Sequence, residues 1–211
     1  MLVGERMSHP VITVTPEMPV HDVLAMFKKD NIRRAPVIKE GKMVGIVSDS
    51  DLLNASPSLA TTLSVWEINS LLSKVTVRHV MTKKVKTIAV DTPIEEAARI
   101  MADFKIGGMP VTRKGKIVGM ITATDLFKVL LEMTGAREKG VRATILIEDK
   151  LGEIAKVSKA IAEAGGNIIA VGMYTGPEVG KWGVTFKVLG IKKDVVKAAL
   201  DKAGKKIVDI R

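Results

Sequence analysis

Two short constellations in this chain have residue types and spacing suited to holding a phosphorylated sugar. One reads Gly45-Ile-Val-Ser48-Asp-Ser-Asp51-Leu52, the other Gly119-Met-Ile-Thr122-Ala-Thr-Asp125-Leu126. Each sets a hydroxyl three residues ahead of an aspartate, where an apolar run gives way to a helical pattern. A helix N-terminus offers unspent backbone N–H groups and the positive end of the helix dipole, which suits a phosphate. The hydroxyl adds a hydrogen bond, and a carboxylate one turn in has acceptors for both hydroxyls of a ribose. Ser/Thr-x-x-acid is equally the spacing of an ordinary capped helix. Two features point beyond a cap. Capping boxes favour Glu or Gln at the fourth position, whereas both copies carry Asp, whose shorter arm reaches back less well. The spacing also recurs at the same phase of a longer repeat.

That repeat organises the first 130 residues. Positions 7–52 reappear at 81–126 without a gap: Pro19 on Pro93, Ile32 on Ile106, Pro36-Val37 on Pro110-Val111, Gly41-Lys42 on Gly115-Lys116. Self-similarity of this kind implies two like units packed side by side with equivalent sites. Each copy predicts a short strand (11–14; 85–88), then a proline in the first turn of a helix, Pro19 or Pro93. The helix shows in Val20, Val23, Leu24 and Phe27, repeated as Ile94, Ala97, Ala98 and Met101. A hairpin follows, 35–38 to 43–47 and 109–112 to 117–121, each turning on a glycine. A closing helix starts after Ser48 and after Thr122.

Between the copies, 54–58 reads as loop, and Ser64-Val-Trp-Glu67 has capping-box spacing for a helix to about Leu72. Residues 133–140, glycine-flanked and charged, read as a domain boundary. The last 71 residues change character: strand 141–147, loop 149–152, helix with Ile154, Val157, Ile161 and Ala164 on one face, strand 167–173, strand 182–189, helix 192–202 and strand 206–210. The order β-α-β-β-α-β is the ferredoxin-like arrangement. The expected domains are therefore 1–53, a linker 54–79, 80–132, a linker 133–140, and 141–211.

Composition narrows the function classes. Cysteine is absent, which removes disulfides, thiolate chemistry and Cys-ligated metal. His9, His21 and His79 lack metal-ligand spacing, and no P-loop, Rossmann fingerprint or nucleophile elbow occurs. No catalytic residue, metal site or cofactor is therefore expected. No apolar run reaches the roughly 18 residues of a membrane span, and the first residues lack a signal-peptide apolar region. A cytoplasmic protein without membrane partners is expected. Glutamine is absent and only four asparagines occur beside 33 Lys+Arg, a balance that suggests a heat-adapted host. The net charge of +10 is concentrated late, with 13 basic against 8 acidic residues in 141–211. Such a surface favours anionic partners, or is simply a solvated lysine-rich face. At 3% aromatics the chain lacks base-stacking platforms, so nucleic acid is not the expected partner.

The pattern Ile-x-x-x-Pro-Val, a glycine turn, then Gly-apolar-apolar-Ser/Thr-x-x-Asp-Leu resembles the CBS domain in a tandem pair, over about residues 5–130. The resemblance implies two β-α-β-β-α units with clefts between them that in relatives bind adenosine-containing ligands. It implies that Asp51 and Asp125 hold ribose hydroxyls while Ser48 and Thr122 face phosphate. Backbone around Thr13, Thr87, Ala35 and Met109 would line the base. Arg33-Arg34 in copy one could pair with phosphate or form an exposed basic edge; Gly107-Gly108 in copy two would admit a base or ribose close to the backbone. Two unequal sites follow.

The C-terminal segment resembles the ACT domain through Asp149-Lys-Leu151-Gly152-Glu and Gly165-Gly166-Asn167-Ile168. In relatives that loop of one subunit meets the sheet of another, where amino acids bind. That implies a homodimer and an amino-acid site at Asp149, Leu151, Gly152, Asn167 and Ile168, although Leu151 stands where relatives carry proline. The whole order, with Ser56-Pro57-Ser58, Trp66-Glu67 and residues 134–140, resembles the acetoin-utilisation regulatory proteins. The fold expected is α+β, a tandem CBS pair followed by a ferredoxin-like βαββαβ ACT domain. The function expected is a non-enzymatic regulator sensing an adenine nucleotide or adenosyl ligand (AMP, ADP, ATP, NAD or S-adenosylmethionine class). Alternatives are a nucleic-acid-associated regulator and a regulatory subunit whose CBS sites stay empty.

Overall fold

The computed structural model describes residues 1–55 and 75–211. The expected linker helix at 64–72 and the Ser56-Pro57 and Trp66-Glu67 motifs lie outside the described residues. The chain divides into two compact units, Met1–Leu126 and Phe127–Arg211.

The first unit opens with a single turn, α1 (Val3–Arg6), then α2 (Val20–Asp30), β1 (Arg34–Lys39), β2 (Lys42–Ser48) and α3 (Asp49–Asn54). The second copy repeats this as α4 (Val77–Val80), β3 (Ile88–Ala89), α5 (Ile94–Phe104), β4 (Gly108–Arg113), β5 (Lys116–Thr122) and α6 (Ala123–Met133). Pro19 and Pro93 stand one position earlier than expected, at the N-caps of α2 and α5 rather than inside them. Both hairpins close on two residues at positive φ, Glu40-Gly41 (49°, 73°) and Lys114-Gly115 (49°, 76°). That is the type I′ turn, whose twist matches that of the flanking strands. The strands expected at 11–14 and 85–88 shrink to one parallel bridge, Val14 with Val37, and the two-residue β3 beside β4. Asn54, expected in a loop, ends α3.

The two copies exchange their leading segments. Val3 N–H donates to Thr92 O (2.9 Å) and Gly4 N–H to Val90 O (2.8 Å), so the first residues dock on the second copy. Val77 N–H donates to Met18 O (3.0 Å) and Arg78 N–H to Pro16 O (2.9 Å), so 77–78 dock on the first. Ser8 bridges to Met120 while its counterpart Thr82 bridges to Ile46. Val77 is fully buried in the first copy's core with Val14, Val20, Val23, Phe27, Ala35, Val37, Val47 and Leu52. Contacts in which i meets j and the counterpart of j meets the counterpart of i define a pseudo-two-fold relation. The contiguous repeat is thus not the packing unit.

The second unit carries β6 (Val141–Glu148), α7 (Glu153–Glu163), β7 (Asn167–Thr175), β8 (Lys181–Leu189), α8 (Lys193–Lys202) and β9 (Lys206–Ile210). The sheet order is β7-β8-β6-β9, with every neighbouring pair antiparallel. This is the βαββαβ topology expected from the sequence. Val141, Ala143, Ile145 and Ile147 of β6 join Val184, Phe186 and Val188 of β8 in one core with Val157 and Ile161 of α7 and Val196 and Leu200 of α8. Gly165 at φ 84° ends α7, where Gly166 N–H returns to Ile161 O at 2.9 Å. The sequence puts the boundary at 133–140, whereas the division between units falls inside α6, after Leu126. Among the described residues no helix is long and apolar enough to cross a membrane.

Candidate functional site

Strand pairing assembles each site from three distant stretches. In copy one, Val14 N–H donates to Pro36 O (3.1 Å) and Val14 O accepts from Ile38 N–H (2.8 Å), which sets Thr13 beside Pro36, next to Ala35. Arg34 pairs with Ser48 across the hairpin, and Asp49 N–H donates to Arg33 O (2.9 Å). Copy two matches this. Gly108 pairs with Thr122, Ala123 N–H donates to Gly107 O (3.1 Å), and β3 sets Thr87 beside β4. Thr13, Arg33, Arg34, Ala35, Ser48 and Asp51 thus share one end of the first hairpin; Thr87, Met109, Thr122 and Asp125 share that end of the second. Ala35 and Met109 are fully buried. Thr13 and Thr87 are exposed.

The Ser48–Asp51 pair is a real capping box, contrary to the reading drawn from the short arm of Asp, and Thr122–Asp125 repeats its reach-back bonds. Ser48 donates to Asp51 Oδ2 from both its N–H (2.9 Å) and its hydroxyl (2.7 Å). Thr122 does the same to Asp125 Oδ2, at 3.0 and 2.7 Å. Aspartate reaches because the carboxylate folds directly over the first turn. Asp125 is only 6% exposed. An ionised carboxylate has about four lone-pair positions, and Asp51 spends two of them, both on Oδ2.

The backbone amides at the start of α3 are spent as well. Asp49 N–H goes to Arg33 O, Ser50 N–H to Asp49 Oδ1 (2.8 Å) and Asp51 N–H to Ser48 Oγ (3.3 Å). The helix N-terminus expected to receive phosphate in copy one is therefore already satisfied. The cation left for that role is Arg34. It is half-buried and makes no direct ion pair among the described residues. Burial pushes its pKa down, and the nearby carboxylates of Asp49 and Asp51 pull it back up.

Arg34 also explains the glycines of copy two. A Cβ on Gly107 would lie 2.6 Å from Arg34 Nη2 and 2.8 Å from Nη1; one on Gly108 would lie 2.8 Å from Nη1. The guanidinium fills the space that the sequence reading assigned to an approaching base or ribose. Arg33, its neighbour, is exposed. This contact was out of reach of sequence reasoning, which treated the Arg-Arg and Gly-Gly pairs as separate differences.

The second unit's expected site residues do not converge within one chain. Asp149, Leu151 and Gly152 precede α7, and Asn167 and Ile168 follow it, about 16 Å away for an 11-residue helix. Leu151 is fully exposed, and Gly152 takes φ 81° at the N-cap. Behind that loop Glu153 is buried, bonded by Lys156 Nζ (2.8 Å) and paired with Lys205. Those two bonds hold its pKa down at about 2. A separate open hollow of about 330 Å³ is lined by Lys128, Leu131, Glu132, Gly135, Arg137 and Glu138, none of them an expected site residue. Among the described residues no cluster of three His, Cys, Asp or Glu side chains offers a metal site.

Comparison with known proteins places the first unit. The CBS domain model matches residues 3–58 and 77–132, just over half of the chain. An uncharacterized protein of Methanocaldococcus jannaschii is 33% identical over 157 residues, spanning 62% of this chain and 92% of that protein. The CBS domain pair of protein MJ0100, solved with 5′-methylthioadenosine and S-adenosyl-L-methionine, is 26% identical with TM-score 0.52, covering 65% of this chain and 98% of its own. CBSX2, solved with AMP, is 28% identical with TM-score 0.53, covering 63% and 97%. A Vibrio cholerae protein described as an acetoin utilization protein is 29% identical with TM-score 0.52, covering 66% and 98%. With two matched copies, a shared hairpin register and equivalent hydroxyl–carboxylate pairs, this chain belongs to the CBS domain family.

Proposed function

We propose that the chain is a non-enzymatic regulatory protein, working in the cytoplasm, that senses an adenosine-containing ligand in the clefts of its CBS pair. The observation that carries this reading is the duplicated site end, where a carboxylate, a hydroxyl and two stretches of hairpin-edge backbone meet in both copies. Asp51 and Asp125 accept the ribose hydroxyls, and backbone at Ala35 or Met109 and at Thr13 or Thr87 takes the adenine. A 5′-phosphate in copy one turns to Arg34, whose planar fork suits it. Relatives solved with AMP, 5′-methylthioadenosine and S-adenosyl-L-methionine support the ligand class.

The second unit is proposed as an ACT-type domain that dimerises, with an amino-acid site at Asp149, Leu151, Gly152, Asn167 and Ile168 completed by a second copy. The separation of Gly152 and Asn167 across α7 supports a site shared between copies over one within a chain. Ligand in the CBS clefts shifts the population of conformations, and α6, whose residues belong to both units, carries that shift.

Calorimetric titration of AMP, ADP, ATP, NAD and S-adenosylmethionine into ligand-free protein tests the reading. Saturable binding of at least one, lost in the Asp51→Asn, Asp125→Asn double variant, is the expected result. No binding across the panel overturns it.

A further inference from the structure

The ribose-holding groups of the two clefts are duplicated, but the cation is not. Position 34 is Arg and its counterpart 108 is Gly; position 33 is Arg and 107 is Gly; position 49 is Asp and 123 is Ala. Arg34 lies against Gly107 and against Gly108, its own counterpart. Under a pseudo-two-fold relation, a residue that touches its counterpart sits at the axis, and only one side chain fits there. A side chain on Gly108 would also meet Ile121 O at 2.9 Å, so a second arginine has neither room nor relief from like-charge repulsion. The other basic residues leading into copy two, Lys83, Lys84 and Lys86, are exposed, and Lys86 is engaged over the Phe104 ring at 3.5 Å.

We propose that Arg34 is one cation shared by both clefts, so that the CBS pair takes one phosphate-bearing adenosine ligand at a time and its second occupant carries no phosphate. The ribose and base positions stay two in number, because Asp51 and Asp125 sit in matching frames on opposite sides of the axis. This inference rests on the adenosine-ligand reading above and adds to it the stoichiometry and the charge class of each occupant. Burial lowers the pKa of Arg34 and the Asp49 and Asp51 carboxylates raise it, as fits a half-buried charge in no direct ion pair among the described residues.

The test is calorimetric titration of the full chain with AMP and with adenosine, the same nucleoside without the phosphate, in the unsubstituted protein and in Arg34→Gln. The expected result is one AMP and two adenosines per chain, with one adenosine still binding to AMP-saturated protein. In Arg34→Gln, AMP affinity falls about tenfold or more, the loss of one charge-assisted contact, while adenosine affinity stays within about threefold. Retained adenosine binding also shows that the variant is folded. Two AMP of similar affinity per chain overturn the sharing and leave the adenosine-ligand reading standing. An equal loss of AMP and adenosine affinity in Arg34→Gln overturns the phosphate role. Absence of binding by both ligands overturns the adenosine-ligand reading and this inference with it.

Discussion

Asp51 and Asp125 hold the local fold as well as offering acceptors, and the two duties separate by substitution. Asp125→Ala removes the acceptor of Thr122 N–H at 3.0 Å and of the Thr122 hydroxyl at 2.7 Å, at a position 6% exposed. Leaving a buried donor unsatisfied costs about 1–3 kcal/mol, so a total of about 2–4 kcal/mol is expected there. Asp51→Ala breaks the same two bonds where the side chain is only half-buried. Water replaces part of the loss, and about 1–2 kcal/mol is expected, as for an ordinary N-cap. Asparagine keeps one amide oxygen over the first turn and forfeits only the charge assistance, so Asp125→Asn costs about 1 kcal/mol. It still removes one of the two acceptors that a ribose diol needs. Urea denaturation followed by circular dichroism, at constant slope, gives the ranking. The reasoning fails if Asp125→Ala is no more destabilising than Asp51→Ala, or if Asn at 125 costs as much as Ala.

Val77→Ala removes two buried methyl equivalents from the first copy's core, about 1.6 kcal/mol of transfer free energy and about 2–3 kcal/mol with the cavity. Because Val77 and Val23 lie in one cluster, a double-mutant cycle in urea with Val23→Ala gives a coupling above about 0.5 kcal/mol; strict additivity contradicts the exchange of leading segments. Glu153 gives an acid-side signature. Its folded pKa of about 2 lies below the unfolded value of 4.5, so its contribution is complete above 4.5 and disappears as pH falls towards 2. Glu153→Gln is expected to be less stable than the unsubstituted protein at pH 7, with the gap closing between pH 4.5 and 2 in acid titrations followed by circular dichroism. A gap independent of pH refutes the ionic role.

What the sequence revealed was what short-range chemistry specifies. The Glu40-Gly41 and Lys114-Gly115 turns, the periodic faces of α2, α5 and α7, and the βαββαβ order are written in contiguous residues, and the structure has them in place. The strands at 11–14 and 85–88 were overextended because their pairing is parallel and distant, so their length depends on a partner some 23 residues away. The exchange of Val3 and Val77 was hidden for the same reason: a four-residue turn carries no mark of which copy it packs on. The site's residue types were legible, and their state was not. The short arm of aspartate suggested a weak cap, yet folding brings each carboxylate within 2.7 Å of the hydroxyl three residues before it. The meaning of Gly107-Gly108 was illegible because the group that occupies their space, the Arg34 guanidinium, comes from the other copy.

A crystal structure of the full chain grown with AMP tests the central claim most directly. The account expects adenosine density in the CBS pair, with both ribose hydroxyls within about 3.2 Å of the Asp51 or Asp125 carboxylate and the phosphate on Arg34. AMP bound elsewhere, or in the cleft with its ribose turned away from both aspartates, would contradict it.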